Sequence, residues 1–279
     1  MGFRTIACFI DAAEASQARL DFACGAARAW DAHLVAVALT RQPDVGVYAA
    51  PGGEMAVDLA RIDETRAEAK ALADAACGRI EAAGLSPDAR WAANSGPGLE
   101  DAVARAGRHA DLCVTGPTGG GDASLAEAAF EGALFGSGRP VMVVPDGWSG
   151  ESVAQRILVA WDGSQVAARA LGCATPLLAA AERVSVAIVD PDPEAGRLGQ
   201  EPGADIAAVI ARHGAEVSLD RLPSSGASVA ERLMAHGADM GADLMVMGGY
   251  GHSRLREALF SGVSREVFEA PALPVLTAH

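Results

Sequence analysis

The stretch DLMVMGGYGHSRLREALFSGVSREVFEAPALPVL, residues 243–276, decides the fold. Its opening run to Met247 is continuously apolar, the pattern of a strand covered on both faces. Gly248-Gly249-Tyr250-Gly251 then turns the chain into a helical stretch, and an apolar run near 273–277 closes the segment. Glycines in such a turn let backbone amides face outward at positive φ and let a ligand approach with no Cβ in the way. Amides at a helix start, at the positive end of its dipole, form a cradle for an anion, with phosphate the obvious class. A plain strand-to-helix turn also wants glycine, so the loop alone reads either way. A second break, Ser261-Gly262-Val263-Ser264, precedes another helical turn and offers further amides and hydroxyls. His252 and Arg254 either meet a phosphate or lie on a solvated helix start.

The same order of residues occurs earlier in the chain. HADLCVTGPTG (109–119) parallels GADLMVMGGYG (241–251), TIACFIDAAEAS near the start parallels RILVAWDGSQVA (156–167), and RPVMVVP (139–145) parallels LPVLTA (273–278). Internal repetition of this kind marks duplicated units. DGWSGESVAQ (146–155) has no apolar periodicity and reads as the linker. The expected domains are therefore 1–146 and 155–279. Strands are expected near 4–10, 33–39, 89–93, 111–115 and 140–144, then near 156–161, 183–189, 215–219, 243–247 and 273–277. Helices are expected near 15–31, 57–83, 98–109 and 122–135, then near 164–181, 203–213, 226–239 and 253–269. In the long helix Leu59, Ile62, Ala69, Ala73, Ala76 and Ile80 follow a three-and-four spacing that makes one buried stripe. Alternating βα units imply right-handed crossovers and an α/β class of fold, two doubly wound and mainly parallel five-stranded sheets flanked by helices.

Composition narrows the function. Half of the 279 residues are apolar but only 5% are aromatic, which favours alanine-rich helices on β-branched strands. No apolar run reaches the roughly 18–20 residues that cross a bilayer, and the first apolar run is cut short at Asp11, so a soluble, cytoplasmic protein is expected. The formal charge of −14 disfavours nonspecific contact with nucleic acid or an anionic membrane. Lys70 is the only lysine and lies within DETRAEAKALADAA, so none is available for a Walker-type loop or a loop-borne Schiff base. Five scattered cysteines form no C-x-x-C pair, and the six histidines have no metal-ligand spacing. G-x-S-x-G and H-E-x-x-H are absent. No catalytic residue is expected, and no metal ligand.

Open α/β sheets bind ligands beyond the carboxyl ends of their strands, where the strand order reverses. Asp162 ends the first strand of the second half and Gly248 ends the fourth. If those strands are neighbours, both border one crevice, with Asp162 accepting from a ribose or a base edge. Asp162 suits the N-cap of the following helix equally well.

Here the chain resembles the universal stress protein family, in which the first strand ends in Asp-x-Ser, as in Asp162-Gly163-Ser164, and a late strand ends in Gly-x-x-Gly, as in Gly248 to Gly251. The resemblance extends over nearly the whole chain, twice. It implies a fold related to adenine nucleotide alpha hydrolases, and two halves paired as a pseudo-dimer through their last strands, with a homodimer of whole chains also open. It further implies ATP, with or without Mg2+, or a related adenine nucleotide as ligand, held at Ala160, Asp162, Val189, Met247, Gly248, Gly251, His252, Ser253 and the second glycine element, Gly262, Val263 and Ser264. In that element Ser261-Gly262 reverses the family's Gly-Ser. The first half departs further: Gly116-Pro117-Thr118-Gly119 keeps the spacing, but Asp122 adds negative charge, Ala129-Phe130 stand in place of Gly-Ser, and Gly136-Ser137 comes too late. Its site is expected to be empty. A stress-response regulator that binds adenine nucleotide in its second half, with at most slow ATP hydrolysis, is the leading expectation. A tandem stress protein without nucleotide, acting through protein contacts, is the alternative.

Overall fold

Twelve strands and eight helices carry the chain in a computed structural model that describes residues 2–42, 48–49, 55–56, 59–120, 122–150, 154–191, 201–250 and 262–279. The first half runs β1 (Thr5–Ile10), α1 (Ala15–Trp30), β2 (His33–Arg41), a short antiparallel pair β3 (Tyr48–Ala49) and β4 (Met55–Ala56), α2 (Leu59–Ala82), β5 (Ala89–Asn94), α3 (Pro97–Gly107), β6 (Leu112–Thr115), α4 (Ala123–Glu131) and β7 (Val141–Val143). A π-helical turn, Gly132–Gly136, follows α4. The second half runs β8 (Arg156–Ala160), α5 (Gln165–Leu178), β9 (Arg183–Val189), α6 (Ala204–Ala211), β10 (Val217–Leu222), α7 (Val229–Asp239), β11 (Leu244–Gly248), α8 (Gly262–Glu269) and β12 (Val275–Ala278).

Ten of these strands form one sheet in the order β10-β9-β8-β11-β12-β7-β6-β1-β2-β5. Each half contributes five mutually parallel strands, so the order within a half reverses between its first and fourth strand, at β1/β6 and β8/β11. The halves meet where β7 and β12 pair antiparallel, Leu276 opposite Met142. Strand residues alternate between two buried layers. In β8, Ile157 and Val159 face one layer, which also holds Leu20 of α1, Ile80 of α2 and Leu171 of α5. Leu158 faces the other, with Val103 of α3, Phe130 of α4, Leu233 of α7 and Phe268 of α8. Coverage on both faces explains the continuous apolar strands. The α2 stripe is present: Ala69, Ala73, Ala76 and Ile80 are buried, Ile62 is half-buried, and Lys70 is exposed beside Asp74 at 2.9 Å. Cys8 and Cys113 are buried, and burial pushes both thiols up to about 12, so they are small core residues.

A carboxylate clamps the start of each half. The N–H groups of Gln155 and Arg156 both donate to Asp243 at 2.9 Å, tying the start of β8 to the start of β11. At the corresponding place Arg4 and Thr5 donate to Asp111, at 2.9 and 3.0 Å. Asp243 is buried, so Asp243→Ala strands two backbone donors. A cost of about 2–3 kcal/mol is expected in urea denaturation; a change of only a few tenths would show the clamp to be water-exchanged.

The linker is anchored as well. Trp148 inserts against residues of both buried layers, so 146–150 is not a free tether.

Candidate functional site

The reversal at β8/β11 gathers five of the expected residues, Ala160, Asp162, Val189, Met247 and Gly248, at one edge of the sheet. Val159 of β8 lies opposite Val246 of β11 in a parallel pair. Asp162, two residues past the end of β8, and Gly248, the last residue of β11, therefore leave adjacent strands at their carboxyl ends. Ala160 is half-buried at the same edge, Met247 is buried, and Val189 is half-buried at the end of neighbouring β9.

Local chemistry fixes the turn after β8. Gly163 takes φ of 72°, a left-handed conformation that suits glycine. Asp162 is exposed and its Oδ1 accepts from the Ser164 N–H at 2.9 Å, a turn within its own loop. Ser164 is the N-cap of α5, its Oγ accepting from the Ala167 N–H at 3.1 Å. The N-cap falls two residues later, at Ser164, and the Asp162 carboxylate stays exposed beyond the end of β8.

Gly248 has a steric reason of its own. A Cβ there would lie 2.5 Å from the Ala167 N and 2.7 Å from the Val166 carbonyl carbon, so only glycine lets β11 approach the first turn of α5. Gly249 donates its N–H to Ala278 O at 3.2 Å, and a Cβ on it would meet Thr277 Oγ1 at 2.6 Å. Tyr250 takes φ of 53° and turns its ring onto Phe130 and Phe135 of the first half and Phe268 of the second, at centroid distances of 6.2, 5.7 and 5.9 Å. Burial pushes its hydroxyl up to about 12. The glycine turn thus also docks one half on the other. Gly251, His252, Ser253, Arg254 and Ser261 lie outside the described residues. Gly262 opens α8, exposed, with open space where a Cβ would stand; Val263 is half-buried and Ser264 buried. Beyond β9, Asp190 accepts from the Ser224 N–H at 2.9 Å, and hydrogen bonds from the Ser224 side chain and then its backbone hold the carboxyl below the usual range.

The first half keeps this frame and crowds it with its own side chains. Asp11 accepts from the Ala13 N–H at 2.8 Å, as Asp162 does from Ser164. It is tied a second time by the Ser16 hydroxyl at 2.7 Å, where the second half has Ala167. Arg19 is 7% exposed, donates to Phe9 O at 2.9 Å, and crowds Gly116 so closely that a Cβ there would lie 1.9 Å from Nη2. Phe9 corresponds to Ala160, so a guanidinium of the chain itself sits on that carbonyl. Asp122 caps α4, accepting from Ser124 and Leu125, and the Ser124 hydroxyl lowers its carboxyl. Sequence reasoning missed Arg19, because its place over Gly116 depends on how α1 settles across β1 and β6. Between Asp11, Arg41, Glu68 and Asp122 a cavity of about 230 Å³ remains.

One other polar cluster is not a catalytic relay. Ser185 Oγ donates to Asp220 at 2.7 Å and lies 3.2 Å from His236 Nε2, yet Asp220 approaches that same nitrogen at 3.4 Å. A hydrolytic triad needs acid and hydroxyl on opposite ring nitrogens. No helix of the described residues is long and apolar enough to cross a membrane.

Residues 154–279 match the model of the universal stress protein family. No curated protein matches the chain. Among solved structures the chain is similar to a universal stress protein from Archaeoglobus fulgidus DSM 4304, at 20% identity, with 98% of this chain and 95% of that one covered and a TM-score of 0.73. A provisionally named universal stress protein from Pseudomonas aeruginosa UCBPP-PA14 is similar at 15% identity over 99% and 93%, with a TM-score of 0.62. A shorter solved universal stress protein, 24% identical over 45% of this chain and 96% of its own with a TM-score of 0.36, is in complex with cAMP. Residues 154–279 are thus similar to the universal stress protein family, and the chain as a whole shares the fold of the solved universal stress protein from Archaeoglobus fulgidus DSM 4304.

Proposed function

We propose that the second half binds an adenine nucleotide in the crevice beyond the carboxyl ends of β8 and β11, and that the bound state biases a surface read by a partner. The observation that carries this reading is the pairing of an exposed Asp162, tied once among the described residues, with Gly248 across the reversal of strand order. Asp162 would accept from the ribose or base, Ala160, Val189 and Met247 would border the base, and Gly248, Gly262 and Val263 would leave room for phosphate. Ser264, being buried, would act by holding the start of α8. Gly251, His252 and Ser253 complete the proposed set. ATP, with or without Mg2+, is the proposed nucleotide. The units are proposed as 1–146 and 155–279, an intramolecular pseudo-dimer supported by the β7–β12 pairing. Arg19 and the doubly tied Asp11 favour an empty first site.

The experiment is a thermal-shift titration with ATP and magnesium, after denatured protein has been examined by mass spectrometry for released nucleotide. At about 100 times the dissociation constant, a stabilisation of roughly 2.7 kcal/mol is expected. Asp162→Asn should remove most of it and Asp11→Asn should leave it intact. Gly119 is unsuitable as the first-half control, because a Cβ there would lie 2.7 Å from Glu269 O across the junction of the halves. A flat titration of the intact protein would leave the alternative, a stress protein acting through protein contacts alone.

A further inference from the structure

We propose that the outer edge of β5 is a docking site for an extended acidic segment of another protein, added as an eleventh strand. Among the described residues β5 has only β2 beside it, so it ends the sheet. The Ala36 N–H donates to Asp88 O and the Gln42 N–H to Asn94 O, which turns the even-numbered residues towards β2. Ala89, Trp91 and Ala93 consequently present their N–H and C=O groups outward, the template that an added strand needs.

Side chains around this edge select the incoming strand. A cavity of about 500 Å³ runs along it, lined by Arg66 of α2, Arg90, Trp91 and Asn94 of β5 and Arg105 of α3, with small apolar residues between them. Three arginines and no carboxylate line it, on a chain whose formal charge is −14. Asp63, Asp88 and Asp101 each pair with one of the guanidiniums and lie outside the lining, so they orient the cations without filling the groove. Trp91, 44% exposed, adds an apolar surface beside the open amides. A second copy of the chain is a poor occupant, since β5 against β5 would set arginines against arginines. An extended segment alternating acidic and apolar residues meets the backbone row, the cations and the indole together. The site is remote from the β8/β11 crevice and independent of nucleotide binding.

The test uses the intact protein and an acetylated, amidated hexapeptide of alternating Glu and Val. Hydrogen exchange read by mass spectrometry should slow across 89–94, and the tryptophan fluorescence change should vanish in Trp91→Phe. Replacing Arg66, Arg90 and Arg105 together by Gln, with folding checked by circular dichroism, should weaken binding about tenfold. A peptide N-methylated on the amides of one edge should lose binding even to the unaltered protein. The proposal is overturned if the peptide protects nothing at 89–94, or if a Lys–Val peptide protects equally. Tripolyphosphate giving the Trp91 signal, with no peptide-dependent exchange protection, would identify a simple anion site instead.

Discussion

Phe130→Ala is expected to cost about 3–5 kcal/mol in urea denaturation and to split one unfolding transition into two. Phe130 is 1% exposed, and its ring belongs to the first half while its aromatic neighbours belong to the second: Phe268 at 5.0 Å, tilted 44°, and Tyr250 at 6.2 Å. Removing the ring leaves a cavity lined by groups from both halves, and rigid β-strands on either side limit how far it can collapse. Loss of stability and loss of coupling are therefore expected together. A double-mutant cycle with Phe268→Ala should give a coupling of about 0.5–1.5 kcal/mol, the usual range for paired aromatic rings. Additive losses and a single unshifted transition would show that the ring cluster fills space without joining the halves.

Gly248→Ala is the second large effect, about 2–3 kcal/mol of destabilisation by overpacking. The atoms that a new Cβ would strike, Ala167 N and the Val166 carbonyl carbon, are backbone of the first turn of α5 and cannot rotate away. Either β11 or α5 must retreat, and the edge shared by Asp162 and Met247 opens with it. The nucleotide-dependent thermal shift should therefore fall along with stability. Gly262→Ala is the matched contrast: its Cβ enters open space, and a change within about 0.5 kcal/mol is expected. Equal losses from the two substitutions would remove the steric account of the turn after β11.

Strands buried on both faces were legible because nothing interrupts their apolar runs; β8 and β11 fall within a residue or so of expectation. Boundaries moved where a polar atom outweighed periodicity. α7 starts at Val229 and not at 226, because Ser228 and Glu231 close a reciprocal capping box, a Ser-x-x-Glu signal present in the sequence. β10 extends through Asp220, Arg221 and Leu222, an alternating edge-strand pattern that a search for continuous apolar runs cuts short. β12 begins after Pro274, which lacks the N–H that a ladder needs. The expected 122–135 helix divides at Gly132, where a Cβ would lie 2.5 Å from Glu100 O and the chain widens into a π turn. Of the site, the spacing of Asp162 and Gly248 and the parallel between the halves were legible. Arg19 over Gly116 and Ser16 on Asp11 were not, since both depend on how a helix settles over strands distant in sequence. Nor was the second duty of the glycine turn, in which Tyr250 faces the opposite half.

Because the halves join by strands running in opposite directions, their carboxyl strand ends lie on opposite rims of a single sheet. Among the contacts that join the two rims are the β7–β12 ladder and the rings of Phe130, Tyr250 and Phe268, so a substitution in that ring cluster changes how the halves are coupled without touching either set of strand ends.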